Sequence, residues 1–284
     1  MGVQIMKSFG LSILAASFAL ALAMPAHAGE TLDRVMKTKT LTMSSDPEYP
    51  PQSFLNDKNE MDGFDVDVGK EIAKRMGVEL KIVTPAWEVI TAGGWAGRWD
   101  MSVGSMTPTK KRAEVLDFPA IYYYTPASFA VHKDSKVTKI SELNGKIIGS
   151  CGGCTYDAYL KKDLVIDAQG VPPFKYQVTP KEIKPYDTDT NAFDDLKLGD
   201  GVRLDAVFSA LPTINAAIKH GYPMRVVGDP AFYEPLAVAT DKSDAEFNAK
   251  IKEIVEAMHK DGTLTKLSEK WYGTDLSTPA KTTD

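Results

Sequence analysis

The sequence predicts an α/β chain built mainly on parallel sheets. Strand and helix patterns alternate along its 284 residues, and no repeat, heptad or low-complexity block interrupts them. Beyond the first 28 residues the chain has the length of one or two domains, with enough aliphatic and aromatic side chains for a sizeable core.

Those first residues stand apart. A start with one positive charge, Lys7, precedes an apolar run from Phe9 to Met24 that ends in Ala26-His27-Ala28. A charged start, an apolar middle and small residues at the end describe a secretory signal peptide cleaved after Ala28, and hence export to the periplasm. A retained anchor needs about 20 apolar residues, more than this run supplies. Cleavage removes Lys7 and no acidic residue, which takes the net charge from −5 to −6. That balance argues against nucleic acid or an anionic membrane as the main partner. Export also puts the chain's two cysteines, Cys151 and Cys154, where a pair tends to close. His132, His220 and His259 are scattered without metal-ligand spacing, so no metal and no cofactor are expected.

The elements follow in order. Lys39 to Ser45 reads as a strand running into EYPPQSF, where the prolines cannot continue it. GFDVDVGKEIAKRMG reads as a helix with Val68, Ile72 and Met76 on one face and Gly77 as its stop. Glu79 to Val83 and Arg98 to Ser105 are short strands, and Ile121 to Lys133 is an aromatic-rich extended run. SELNGK is a short helix capped by Ser141, leading into the strand KIIGS. A helix from Cys154 to about Leu160 precedes the extended VPPFKYQV. TDTNAFDDLKLGDG is a helix closed by Gly199, and RLDAVFS the next strand. LPTINAAIKHG is a helix with Pro212 in its first turn and Gly221 as its stop, followed by the strand Met224 to Gly228. Two helices close the chain. Ser243 and Glu246 form a capping-box pattern ahead of the stripe Phe247, Ile251, Ile254, Val255 and Met258, and TLTKLSEKWYG makes the second helix.

The order of short motifs says more than any one of them. YPPQSF with GFDVDVGKEIAKRMG, GRWDMSVGSMTPTKKRAEVLDF, LNGKIIG before CGGCT, RLDAVFS and DGTLTKLSEKWYG span nearly the whole chain after residue 28. This series resembles the periplasmic substrate-binding proteins of ABC importers for polar amino acids, the family 3 type. The resemblance implies a periplasmic-binding-protein-like fold: two α/β lobes, a hinge of two crossover strands, and a ligand cleft between the lobes. Lobe 1 is expected over 29–130 and again over 233–284, with lobe 2 over 131–232. Such a pair closes around its ligand, and the closed form is read by a permease in the inner membrane. The implied protein is a monomer that delivers an amino acid or amino-acid derivative and catalyses no reaction.

The resemblance also nominates residues. Tyr49 and Trp87 match positions whose rings sandwich the ligand, a cation–π contact being worth about 0.5–2 kcal/mol. Arg112 matches an arginine that grips the ligand's α-carboxylate with its planar fork. Ser105 and Thr107, with Met106 between them, match positions that add backbone and hydroxyl contacts. Gly153-Cys154-Thr155 fits the turn that faces Arg112 from the other lobe, where a helix start and the Thr155 hydroxyl donate to the same carboxylate. Cys151 is expected in the cleft wall. The family usually places an aspartate after the RLDAVFS strand to meet the ligand's ammonium; here that position is Ala210, preceded by Ser209. Asp46, Glu48 or Glu234 are the candidates to replace it. Alternatively the ligand's amino group is secondary, displaced or absent, which brings in opine-like conjugates and ω-amino acids.

The Cys-Gly-Gly-Cys motif keeps several readings: a disulfide that stiffens the ligand loop, a thiol–disulfide catalyst, a metal site, or free thiols. An enzyme similar to cyclohexadienyl dehydratase on the same scaffold is the rival function, with Glu48, Glu88 or Glu234 as its acid.

Overall fold

The computed structural model describes residues 1–2, 29–168, 171–242 and 244–279. The apolar run, the expected cleavage point, Ser243 and residues 280–284 lie outside the described residues.

Among the described residues the strands are β1 (Thr40–Ser44), β2 (Glu48–Tyr49), β3 (Ser53–Leu55), β4 (Met61–Asp62), β5 (Glu79–Val83), β6 (Met101–Met106), β7 (Leu116–His132), β8 (Ile147–Cys151), β9 (Glu182–Tyr186), β10 (Ala206–Ala210) and β11 (Met224–Asp241). The helices are α1 (Glu30–Thr38), α2 (Phe64–Met76), α3 (Trp87–Thr91), α4 (Thr155–Leu160), α5 (Asp189–Leu196), α6 (Leu211–Lys219), α7 (Ala245–Lys260) and α8 (Thr263–Tyr272).

Eight strands form one sheet in the order β5-β1-β6-β11-β7-β10-β8-β9. Its two ends are parallel, β5 with β1 and β6 on one side and β10 with β8 and β9 on the other. Its middle is antiparallel, which qualifies the mainly parallel expectation. The reason is that β7, which starts at Leu116 rather than Ile121, and β11, which runs on unbroken from Met224 to Asp241, each cross from one half to the other. They pair from Leu116 with Asp241 to His132 with Met224, and the register shifts between Val227 and Phe232. These are the two crossover strands of a two-lobed α/β fold.

Each half has its own apolar core. The first packs Leu41, Met43, Val68, Ile72 and Met76 against the α7 stripe of Phe247, Ile251, Ile254, Val255 and Met258, each large side chain contributing roughly 1.5–3 kcal/mol on burial. In the second, Ile148, Tyr159, Phe208 and Phe232 form one cluster and Phe193, Leu196, Val207 and Ile214 another. Helix α2 ends as its sequence requires, Gly77 adopting a left-handed conformation with φ of 69°.

Several local details differ from the sequence reading. Ser141 is not a cap: Ile140–Leu143 is a single 3₁₀ turn, and the Glu142 carboxylate accepts from the backbone N–H of Thr138 and Lys139. Helix α7 is capped by Asp244, whose carboxylate accepts from Phe247 N–H. Helix α5 ends at Leu196, ahead of Gly199. The proline-rich turn carries β2 and β3, which join β4 in a small antiparallel sheet. Helix α1 has one buried residue, Val35, and so offers no apolar stripe to detect.

Candidate functional site

In open α/β sheets, side chains beyond the carboxyl ends of parallel strands face a common crevice. Here the residues after β1, β5, β6, β8 and β9 all reach one cavity between the two halves. Its walls are Asp46, Tyr49, Trp87, Gly104, Ser105, Thr107, Arg112, Cys151, Cys154, Thr155, Tyr156, Thr188, Asp189 and Glu234.

A buried polar network spans the cavity. Glu234 sits on β11 and is 1% exposed. Its Oε2 accepts from the Thr107 hydroxyl and from the Thr155 hydroxyl, both at 2.6 Å, and its Oε1 from the Tyr156 hydroxyl at 2.6 Å. Tyr156 has spent its one proton there, so in its 3.3 Å contact with Tyr49 the Tyr49 hydroxyl is the donor. Arg112, 7% exposed, donates to the Thr107 carbonyl at 3.0 Å and to the Gly153 carbonyl at 3.1 Å, and lies over the Trp87 ring at 5.2 Å. Because Thr107 follows β6 and Gly153 follows β8, Arg112 ties the two halves together. Gln52 and Thr213 make a second tie at 3.0 Å.

Burial dominates the electrostatics. It raises the Glu234 carboxyl, against the three hydroxyl donors and the Arg112 charge, and it brings the Arg112 guanidinium down to about 10. Asp189, the first residue of α5, is pushed up to about 7 by burial; the Ser209 hydroxyl opposes the shift, and Asp46 and Glu234 add to it. Asp189 Oδ1 has no hydrogen-bond partner among the described residues. Asp46 is also raised by burial, against a hydrogen bond from Glu48 N–H.

Of the residues nominated from sequence, Asp46, Tyr49, Trp87, Ser105, Thr107, Arg112, Cys151, Thr155 and Glu234 line the cavity. Met106 does not. Side chains alternate along β6, so Met106 turns away and packs with Ile90, Trp95, Trp99, Leu116 and Ala239. Ser209 does not line it either; it is fully buried on β10 and bears on the cavity only through Asp189. The Ser105 hydroxyl is engaged away from the cavity, donating to Asp65 at 2.8 Å and contacting the Tyr123 hydroxyl at 2.6 Å. Glu48 and Glu88 are exposed and outside the cavity. Cys151 and Cys154 are joined in a disulfide at its edge, so free thiols are not what this loop carries.

Gly104, Tyr156, Thr188 and Asp189 escaped the sequence reading, and Cys154 entered it only as part of the turn before Thr155. A signal for Asp189 existed: it opens a helix just beyond the carboxyl end of β9, the location that the crevice rule singles out. Tyr156 had none beyond its place next to Thr155.

The model of the bacterial extracellular solute-binding proteins, family 3, matches residues 41–274. The chain belongs to this family. Among curated members, this family 3 protein is similar to the L-cystine-binding protein TcyJ of Escherichia coli K12, 27% identical over 271 residues and covering 94% of this chain and 96% of the relative. It is also similar to the octopine-binding periplasmic protein of Rhizobium meliloti, 27% identical over 287 residues, 84% of this chain and 92% of the relative. Among solved structures, the ancestral amino acid-binding protein AncCDT-1, a precursor of cyclohexadienyl dehydratase, superposes with a TM-score of 0.73 at 28% identity, covering 85% of this chain and 99% of that one.

Proposed function

We propose that this family 3 protein is the periplasmic solute-binding component of an ABC importer, exported after cleavage behind Ala28. As a monomer it captures an amino acid or amino-acid derivative between its lobes and hands it to the membrane permease. The observation that carries this reading is the cavity itself: lined by the buried Arg112, Thr155 and Glu234, walled by Tyr49 and Trp87, and bounded by residues of both halves. Relatives named for binding cystine, arginine and octopine support an amino-acid-type ligand. The proposed ligand contacts are Asp46, Tyr49, Trp87, Thr107, Arg112, Cys151, Thr155 and Glu234, to which Tyr156 and Asp189 are added. The separate cores support lobes over 29–130 with 233–284 and over 131–232, although Ala127 and Phe129 already pack in the second core.

A cyclohexadienyl-dehydratase-like enzyme is the second reading, favoured by the buried Glu234 and by the similarity to AncCDT-1. Thermal-shift screening with amino acids, opines and ω-amino acids, followed by calorimetry, tests the first reading. Stabilisation of the wild type, its loss in Arg112→Ala, and no turnover of prephenate or arogenate are expected. Turnover of either compound overturns the binding-protein reading.

A further inference from the structure

Recognition of a free α-amino acid needs two complementary charges, a cation for the carboxylate and an anion for the ammonium. Here the hydroxyl donors suited to a carboxylate are already in use. Thr107 and Thr155 each have a single O–H, and both donate to Glu234 Oε2, while Tyr156 donates to Oε1. The charge of Arg112 acts on the same carboxylate, and two of its five N–H groups are held by the Thr107 and Gly153 carbonyls. A ligand carboxylate entering that corner meets spent hydroxyls and a like charge. Glu234 thus occupies the hydroxyl corner where a ligand carboxylate is otherwise expected, and its charge opposes that of Arg112 across the cavity. Two carboxylates remain on the cavity wall, Asp46 and Asp189. Asp189 is 4% exposed, its Oδ1 has no partner among the described residues, and an ionised carboxylate in such a place calls for a counter-charge. The rings of Tyr49 and Trp87 stand in the same wall, where aromatic faces attract cations.

We infer that the ligand is a cationic amine or guanidinium compound whose positive group lies against Asp189 and Asp46, and that a free α-carboxylate is dispensable because Glu234 fills the carboxylate corner from within. This rests on the binding-protein reading and narrows its ligand class. It also explains Ala210: the cation acceptor has moved from the start of α6 to the start of α5.

The test compares two pairs of compounds by calorimetry on the wild-type protein: arginine with agmatine, and lysine with cadaverine, the second of each pair lacking only the carboxylate. Agmatine or cadaverine is expected to bind at least as tightly as its parent amino acid. Asp189→Asn is expected to weaken that binding by about tenfold or more. Asp46→Asn, at a half-buried position, is expected to weaken it as well, which keeps the test open should the first variant fold poorly. An amino acid binding about tenfold tighter than its decarboxylated partner overturns the inference, as does unchanged affinity in both variants. Binding of only neutral or acidic amino acids overturns it too, yet leaves the binding-protein reading standing. Binding of no solute at all, or turnover of prephenate or arogenate, ends both.

Discussion

Replacing Asp189 with asparagine keeps the size of the side chain and removes its charge, and the consequence for stability can be worked out. Burial moves the carboxyl from its ordinary value of 3.8 up to about 7, with Asp46 and Glu234 pushing the same way and the Ser209 hydroxyl opposing. Tyr49 and Tyr156, which also face this carboxylate, are raised well above 10 and stay protonated throughout. Below pH ~4 Asp189 holds its proton in the folded and unfolded chains alike. As pH rises from there to about 7, only the unfolded chain releases it, so the wild type loses stability across that window. About three pH units at ~1.4 kcal/mol each come to roughly 4 kcal/mol, all of it lost above pH ~7. Asparagine has no such titration. The ligand-free variant should therefore match the wild type near pH 4 and exceed it at pH 8 by up to about 4 kcal/mol, less what the neutral amide forfeits on burial. Urea unfolding at the two pH values reads this directly, provided the slope m is unchanged between the proteins. An equal difference at both pH values, or a less stable variant at pH 8, refutes the reasoning. A variant that gains stability while losing its ligand is the trade-off expected of a charge kept for binding.

Four further outcomes follow from the same network. Glu234→Ala leaves Arg112 buried without its counter-charge and three hydroxyls without their acceptor, which should cost about 3–5 kcal/mol in urea unfolding; Glu234→Gln, which keeps an acceptor oxygen, should cost less. Trp87→Ala should weaken the ligand by the 0.5–2 kcal/mol of a cation–π contact, roughly 2- to 30-fold by calorimetry. Removing the disulfide with Cys151→Ser and Cys154→Ser should lower stability by about 2 kcal/mol, the value for so short a loop, and the wild type should show no activity on a disulfide substrate. Ala210→Asp restores an acid at the start of α6 and should shift preference toward plain α-amino acids in a thermal-shift panel; an unchanged panel contradicts a displaced cation site.

The fold was legible in sequence where a face is buried on a regular period. The α7 stripe and the Val68, Ile72, Met76 face of α2 appear in the core as their spacing requires. The crossover strands were underestimated because β7 and β11 change their environment along their length: the same strand packs in one core, passes the cleft and enters the other, so no single period marks it. In the site, motif order located Arg112, Thr107 and Thr155, since each lies at a strand end next to a helical turn. What those groups touch was not legible, because Glu234 comes from a strand 79 residues after Thr155 and its partners are chosen by the tertiary fold. Asp189 was overlooked for the opposite reason. An acidic residue at a helix start is ordinarily read as a cap or a favourable partner of the helix dipole, and only its burial beside the cavity distinguishes it.

Calorimetric titration of the wild type and of Asp189→Asn, with the solute that raises the wild-type melting temperature furthest, bears most directly on the cavity as the binding site. One solute bound per wild-type chain, with affinity reduced by about tenfold or more in the variant, is the predicted result. Equal binding by both proteins would put the solute elsewhere and contradict it.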